Sequence, residues 1–229
     1  MNPTTGERES GGGRLAERLP SYFGTQPPSF ELTPNYNVAP TQQVPVIIQQ
    51  DGVRQIKKRR WGLVPFWAKD TTIGSRMINA RVETLASKPA FKAALKHRRC
   101  LIPANGFYEW ASKSGSKKPF YFHLPSSEPM VFAGLWEIWK PEDGEPYKSC
   151  AIITTEASEA VREIHNRMPL ILKPEAFGHW LDPENKNVAG IEETLKAEYV
   201  KDIDRYPVSK LVNRVENNSE ECIKRVEDG

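Results

Sequence analysis

The chain has 229 residues, a formal net charge of +3 at pH 7 and a hydrophobic content of 38%. That length can bury a sizeable core and fits one large domain better than two small ones. Since there is neither an apolar run of membrane-spanning length nor a secretory signal, we expect a cytoplasmic protein rather than a membrane or secreted one. The three cysteines are widely separated and lack metal-binding spacings, which argues against a disulfide framework and a zinc site: Cys100, Cys150 and Cys222.

The first part of the chain predicts a leader followed by a helix. Residues 1–13 contain almost no apolar side chains, and we expect them to be disordered or flexible. Leu15, Leu19 and Phe23 then recur at helical spacing, which indicates a short amphipathic helix. The domain is therefore expected to begin at about residue 14.

A hairpin and an aromatic stretch come next. Val44–Ile48 and Arg54–Leu63 are expected to pair as antiparallel strands, because the segment between them contains Asp51-Gly52, a strong turn signal. The hairpin runs into Trp61–Trp67, which is dense in aromatic residues and interrupted by Pro65. A proline in such a stretch favours a loop at the edge of a pocket over a continuous strand.

The remaining elements are short. A helix is predicted over 87–95, with Ser87 as its N-cap and Pro89 in its first turn. A second helix, over about 157–165, would end at His165. The sequence further predicts two helices, at 174–180 and 191–199, a turn at 114–116, and strands at 99–103, 106–111, 118–124, 130–138, 149–155 and 206–209.

Many strands without regular β-α alternation predict one α+β domain with a mainly antiparallel, barrel-like β-sheet and several short helices. We place this domain at residues 14–220 and treat 221–229 as a C-terminal tail. Two basic runs stand out, Lys57–Arg60 and Lys96–Arg99. Exposed basic runs are usually solvated surface, and contact with phosphate groups is the functional alternative.

Three polar residues interrupt otherwise apolar contexts: Asn79, Glu109 and His165. An asparagine can orient a substrate, a glutamate in a desolvated pocket can carry a proton, and a histidine titrates near neutral pH. Each also has an ordinary structural explanation. Asn79 could cap a turn, Glu109 could alternate outward to water between Tyr108 and Trp110, and His165 could interact with a helix dipole.

Seven motifs, in order along the chain, resemble the SRAP family (SOS response-associated peptidase). They cover Tyr36–Pro40, Arg60–Trp67, Ile78–Thr84, Gly106–Trp110, Phe132–Trp136, Ile153–Thr155 and Ile164–Pro169. The resemblance extends over about residues 14–215 and implies a mixed fold around a barrel-like sheet with a positively charged DNA groove. It also implies an abasic-site sensor that binds single-stranded DNA and joins itself covalently to the opened sugar.

The resemblance assigns a role to eight positions of this sequence. The family's asparagine, glutamate and histidine fall on Asn79, Glu109 and His165, which would handle the sugar and its protons. The residues implied to contact DNA are the arginines Arg81 and Arg167, the aromatic wedge Phe66 and Trp67, and Asn37. The resemblance implies no metal and no organic cofactor. We expect abasic single-stranded DNA as the partner, a monomeric protein, and a cytoplasmic location that becomes nucleoid-associated on DNA.

One departure concerns the nucleophile. In the family, an N-terminal cysteine in Met-Cys-Gly-Arg supplies an α-amine and a thiol that condense with the sugar aldehyde to a thiazolidine ring. Here position 2 is Asn and the first cysteine is Cys100, inside a predicted strand. We therefore expect this chain to bind abasic DNA without crosslinking. Three explanations stay open: a misassigned or altered N-terminus, a natural variant that only binds, or a peptidase that uses Glu109 and His165.

Overall fold

A computed structural model of the protein describes residues 2–4, 15–113, 116–126, 128–197 and 199–227. In the described part the chain forms five α-helices, α1 to α5, separated by strands and short 3-10 turns. The helices are α1 Leu15–Phe23, α2 Pro89–His97, α3 Glu159–Arg162, α4 Phe177–Leu181 and α5 Val188–Ala197. No helix of these residues combines the length and apolar content needed to cross a membrane.

Eleven strands are described: eight match the predicted succession, and the three short strands Asn2–Thr4, Asn79–Arg81 and Arg167–Pro169 were not predicted. Asp51 and Gly52 have positive φ angles of 51° and 75°, as a tight hairpin turn requires, so the predicted hairpin is confirmed. The strands are β1 Asn2–Thr4, β2 Gln43–Gln50, β3 Val53–Trp61, β4 Asn79–Arg81, β5 Arg99–Ala104, β6 Gly106–Lys113, β7 Ser116–His123, β8 Met130–Trp139, β9 Tyr147–Glu156, β10 Arg167–Pro169 and β11 Asp204–Pro207.

Five strands close into a ring. β9 pairs with β3 in parallel, and antiparallel pairings then connect β3 to β2, β2 to β5, β5 to β8 and β8 back to β9. The expected α+β domain with a mainly antiparallel, barrel-like sheet is therefore confirmed. Its interior is filled by large apolar side chains, among them Trp61, Ile102 and Phe132. The helices α1, α2, α4 and α5 cover a second apolar cluster on the outside of the barrel.

A second sheet of four antiparallel strands has the order β1-β6-β7-β11. Side chains alternate across a strand, so the two faces of β6 carry different residues. Phe107 stacks on Phe122 with ring centroids 5.0 Å apart, and both belong to the cluster that fills the barrel. Tyr108 lies on the other face with Tyr121 and the C-terminal segment. Both faces of this sheet are therefore covered.

Three local expectations need correction. The cap of α2 is Lys88 rather than Ser87, whose hydroxyl instead donates to the carbonyl of Thr84, because Pro89 occupies the first helical turn. The helix expected over 157–165 is helical only at Glu159–Arg162, so His165 lies in the connection to β10 and not at a helix end. The turn expected at 114–116 falls mostly on residues outside the described ranges.

The ends of the chain also differ from expectation. Within the expected flexible leader 1–13, residues 2–4 form β1, which pairs antiparallel with residues 106–108 of β6. The rest of that leader lies outside the described residues. Within the expected tail 221–229, Cys222 and Ile223 are buried against the second sheet, and a bridge joins Val208 to Arg225. This segment packs as part of the domain because its apolar side chains cover the tyrosine face of the sheet.

Candidate functional site

Glu109 is buried, with 5% of the residue exposed. The alternation along β6 is as predicted, since Tyr108 and Trp110 lie together on one face and Glu109 is on the other. The interpretation in which Glu109 points to water is nevertheless wrong. Its face of the sheet, which also carries Phe107, packs against the barrel instead of facing solvent. A carboxylate is thereby held in a largely dehydrated position at the junction of the two sheets.

His165 lies at the outer side of this carboxylate. Its Nδ1 atom is 3.7 Å from Oε1 of Glu109, and its side chain is 44% exposed. The same nitrogen is 2.9 Å from the carbonyl oxygen of Arg167 and 3.1 Å from the Arg167 amide nitrogen. A ring movement of less than about 1 Å would bring the imidazole and the carboxylate into hydrogen-bond range, where a proton can pass between them.

Asn79 and Arg81 lie on the same face of the short strand β4, two residues apart. The Oδ1 atom of Asn79 is buried and has no hydrogen-bond partner among the described residues. Buried polar atoms are normally paired, so this unpaired acceptor is unusual. The Arg81 side chain is exposed and is available to an anion at the surface.

The last residues of β9 pair with two short strands that carry residues of the site, β4 and β10. Thr154 is the register partner of Arg81 on one side and of Pro169 on the other. The same short stretch of backbone therefore pairs with two strands of the site. These are β4, which carries Asn79 and Arg81, and β10, which carries Arg167. His165 lies just before β10 and connects this arrangement to Glu109.

Arg167 already has partners. Its Nη1 atom donates to Oε1 of Glu83 over 2.7 Å, its Nη2 atom donates to Oε2 over 3.0 Å, and Nη2 also donates to the carbonyl of Thr154 over 2.7 Å. The hydrogen bonds from Arg167 hold the pKa of Glu83 below its ordinary value. Glu83 was not among the residues selected from the sequence. Its position within Ile78–Thr84, the motif that contains Asn79 and Arg81, was the available signal.

Phe66 and Trp67 are exposed to an unusual degree for large apolar side chains, 58% and 49% respectively. They lie in the loop after Pro65, in line with the predicted loop at a pocket edge. The Trp139 indole N–H donates to the carbonyl of Ala68 over 2.7 Å, which anchors the end of this loop. Two neighbouring aromatic side chains are thus presented to solvent on a fixed support.

Asn37 does not lie at the surface. The residue is 1% exposed, and its side-chain amide lies 3.0–3.1 Å from the carbonyl oxygens of Val212, Arg214 and Asn217. Direct contact with DNA, expected from the resemblance, does not fit this geometry. The asparagine instead fixes the C-terminal segment, because its amide satisfies backbone carbonyls that would otherwise be left without donors.

The two basic runs are only partly surface. Arg59 is buried inside the barrel with its guanidinium 5.0 Å from the ring of Trp136. Arg99 is also buried, and its guanidinium donates to backbone carbonyls that include those of Leu95 and Trp180. Burial lowers the pKa of both arginines. Each run therefore contributes a structural arginine, and the phosphate-contact interpretation does not hold for these two side chains.

None of the described residues offers an accessible thiol. Cys100, Cys150 and Cys222 are all buried and unpaired with one another. Burial raises the pKa of Cys100 well above its ordinary value and that of Cys150 to about 12.

Residue 2, where the resemblance places the family's cysteine, lies close to the site along the backbone. The backbone of Asn2 pairs with that of Tyr108, the residue next to Glu109. No group of three or more histidine, cysteine or acidic residues suited to a metal ion occurs in the described ranges.

The sequence also matches the model of a known protein family. The model for SOS response associated peptidase (SRAP) matches residues 13–215. The chain belongs to the SRAP family. The family assignment made from the seven motifs is thereby confirmed, and the match ends close to the limits expected from those motifs.

Curated relatives and a solved structure agree with the SRAP assignment. The chain is 44% identical over 198 residues to the abasic site processing protein YoqW of Bacillus subtilis (strain 168), covering 86% of this chain and 88% of that protein. It is 33% identical over 228 residues to the abasic site processing protein HMCES of Gallus gallus, covering 86% and 67%. A crystal structure of a protein from Bacteroides thetaiotaomicron superposes with a TM-score of 0.85 at 26% identity, covering 99% of both chains.

Proposed function

We propose that this SRAP protein binds single-stranded DNA at abasic sites and, with Asn at position 2, does so without forming a thiazolidine crosslink. The observation that carries the proposal is the pairing of a buried Glu109 with a half-exposed His165, 3.7 Å apart. The relatives YoqW and HMCES are both named abasic site processing proteins, which supports DNA with abasic sites as the partner.

Each group assigned to DNA suits a part of such a strand. Phe66 and Trp67 can stack on unpaired bases, a contact worth about 1–3 kcal/mol per base without sequence preference. Arg81 can contact a phosphate, which adds salt-sensitive affinity. The free Oδ1 of Asn79 can accept a hydrogen bond from a sugar hydroxyl.

Glu109 and His165 would act on the sugar itself. An abasic deoxyribose must open from its ring to expose the aldehyde, and this step moves a proton from a hydroxyl to the ring oxygen. A buried carboxylate next to an exposed imidazole provides an acceptor and a donor for that transfer. A histidine that faces solvent can then exchange its proton with water.

The proposed lack of a crosslink rests on the side chain at position 2. A thiazolidine requires an amine and a thiol on the same residue, and asparagine carries no thiol. The cysteines that are present are buried and cannot take its place.

We further propose that the protein acts as a monomer in the cytoplasm. Size-exclusion chromatography with light scattering tests the oligomeric state.

Equilibrium binding to three labelled DNAs tests the proposal: abasic single-stranded DNA, the same strand without the lesion, and a duplex. We expect preference for single strands over duplex, an affinity that falls with added salt, and no adduct after boiling in detergent. Arg81→Ala should weaken binding and reduce its salt dependence, whereas Lys92→Ala, an exposed change on α2, should do neither. Equal, negligible binding to all three DNAs would exclude the function.

The peptidase alternative depends on the same two residues, Glu109 and His165. The exposed Phe66 and Trp67 favour a nucleic-acid partner, because base stacking explains their exposure and peptide hydrolysis does not. Incubation with a peptide mixture and intact-mass analysis separates the two functions. Cleavage by the unmodified chain that is lost in Glu109→Gln would establish a peptidase.

A further inference from the structure

The carboxylate of Glu83 connects two segments of the site that are distant in sequence. Glu83 follows β4, in the 3-10 turn Val82–Thr84, and its two oxygens accept from both terminal nitrogens of Arg167 at 2.7 and 3.0 Å. Such bidentate pairs are stronger and more directional than a single charge contact. The Arg167 side chain is only 18% exposed in this position, so the pair is shielded from solvent on its arginine side.

Arg167 in turn determines where His165 lies. The histidine Nδ1 atom has the carbonyl oxygen of Arg167 at 2.9 Å and its amide nitrogen at 3.1 Å. The first contact suits an Nδ1 atom that carries a proton and the second an Nδ1 atom that accepts one. A small movement of the Arg167 backbone therefore changes both the ring orientation and the protonated nitrogen, and with them the 3.7 Å approach to Glu109.

A third contact fixes this arrangement to the sheet. Arg167 Nη2 also donates to the carbonyl of Thr154, which belongs to the stretch of β9 that pairs with both β4 and β10. The guanidinium thus joins the Glu83 turn, the end of β9 and the His165 connection in one hydrogen-bonded unit. Removal of the Glu83 carboxylate would leave one of these three connections without its acceptor.

We infer that Glu83 is a positioning residue of the site: it holds Arg167, and through Arg167 it orients His165 toward Glu109. The role of His165 in DNA handling rests on the proposed function, but the orientation does not. Glu83 therefore acts without touching the DNA strand. A carboxylate that merely competed with DNA phosphate for Arg167 would have the opposite effect on affinity, which makes the two roles separable.

The experiment compares Glu83→Gln and Glu83→Asp with the unmodified protein and with a matched control. Glu128→Gln removes a carboxylate from another arginine pair, Glu128 with Arg18, which lies outside this hydrogen-bonded unit. Nitrogen chemical shifts of the imidazole rings report the tautomer and orientation of His165 without any DNA present. The chain has four histidines, so single substitutions suffice to assign them. Affinity for abasic single-stranded DNA is measured on the same samples.

We expect Glu83→Gln to shift the His165 nitrogen signals and to weaken abasic-DNA binding by about fivefold to tenfold, the loss of one charge-assisted pair. Glu83→Asp should recover part of both effects, and Glu128→Gln should change neither. If Glu83→Gln does not fold, Arg167→Lys keeps the charge but loses the two-pronged geometry, and it should shift His165 in the same way.

Two results would overturn the inference. Unchanged His165 signals in a folded Glu83→Gln would show that the histidine is oriented without Glu83. Tighter DNA binding with a steeper salt dependence would show that Glu83 competes with phosphate for Arg167. Failure of the unmodified protein to bind abasic DNA would count against the proposed function alone, because the His165 measurement needs no DNA.

Discussion

The carboxylate of Glu109 and the imidazole of His165 lie 3.7 Å apart, with side-chain exposures of 7% and 44%. The two groups therefore meet at a boundary, one on the dehydrated side and one in contact with water. A proton that passes between them can reach solvent through the histidine, while the carboxylate stays in the environment set by the two sheets. This relationship underlies the predictions that concern chemistry at the site.

The first prediction is a gain of crosslinking in an Asn2→Cys variant from which the initiator methionine has been removed. Because β1 pairs residue 2 with Tyr108, next to Glu109, this variant should form a heat-stable adduct with abasic single-stranded DNA. Denaturing electrophoresis of labelled DNA measures it. Asn2→Ser, which offers oxygen in place of sulfur, is the matched control and should give no heat-stable product. A lack of adduct with Asn2→Cys would show that this strand does not place residue 2 for the reaction.

The second prediction concerns the proton carrier. In the Asn2→Cys background, Glu109→Gln keeps the size of the side chain but removes its capacity to accept a proton, and adduct formation should slow by roughly 10²-fold or more. Rates are followed by quenching at timed intervals. DNA affinity should change little, because the proposed stacking and phosphate contacts that hold the strand do not involve this buried carboxylate. An equal loss of affinity and rate would indicate that the carboxylate supports binding instead of chemistry.

The third prediction concerns the exposed aromatic pair. Phe66→Ala and Trp67→Ala should each reduce single-stranded DNA affinity by about tenfold, consistent with about 1–3 kcal/mol per stacked base. Thermal stability should stay within about 0.5 kcal/mol, because neither side chain is in the core. Val53→Ala, at a similarly exposed apolar residue in β3, is the control for loss of exposed surface. Affinities come from fluorescence anisotropy, and a large loss with Val53→Ala would remove the specific role of the pair.

The fourth prediction separates structure from DNA contact at Asn37. Asn37→Ala removes the amide that the carbonyls of Val212, Arg214 and Asn217 share, and we expect a stability loss of about 1–3 kcal/mol. Urea denaturation measures it. Below the unfolding transition, DNA affinity should match that of the unmodified protein. A variant with unchanged stability and weaker DNA binding would restore Asn37 as a contact residue.

The fifth prediction is a pH dependence at Glu83. Its pKa is held below the ordinary value of 4.5 mainly by the hydrogen bonds from Arg167. A carboxylate with a lowered pKa in the folded state stabilises the fold at pH above 4.5, and this contribution disappears as the pH falls through the lowered value. The melting temperature of the unmodified protein should therefore exceed that of Glu83→Gln at about pH 7, and the difference should shrink below pH 4.5. A pH-independent difference would argue against the ionised pair.

Local patterns were sufficient for most of the secondary structure. The i, i+4 spacing of Leu15, Leu19 and Phe23 and the Asp51-Gly52 turn both depend on residues close in sequence, and both were predicted correctly. The α3 region was predicted too long, since its apolar spacing continues beyond Arg162 while the backbone turns toward β10. Nothing local to that segment indicates that the residues after it pair with β9.

For the site, the sequence by itself determined which residue types are present, their order, and the family to which they belong. It also determined that residue 2 carries no thiol. Only the tertiary structure decided that Glu109 is buried, that Asn37 and Arg99 are structural, and that Glu83 binds Arg167. The reason is physical: residue type and spacing follow from the chain alone, whereas burial and pairing depend on which distant surface covers a strand face. For Glu109 that surface is the barrel cluster, to which Phe107 on the same face of β6 belongs.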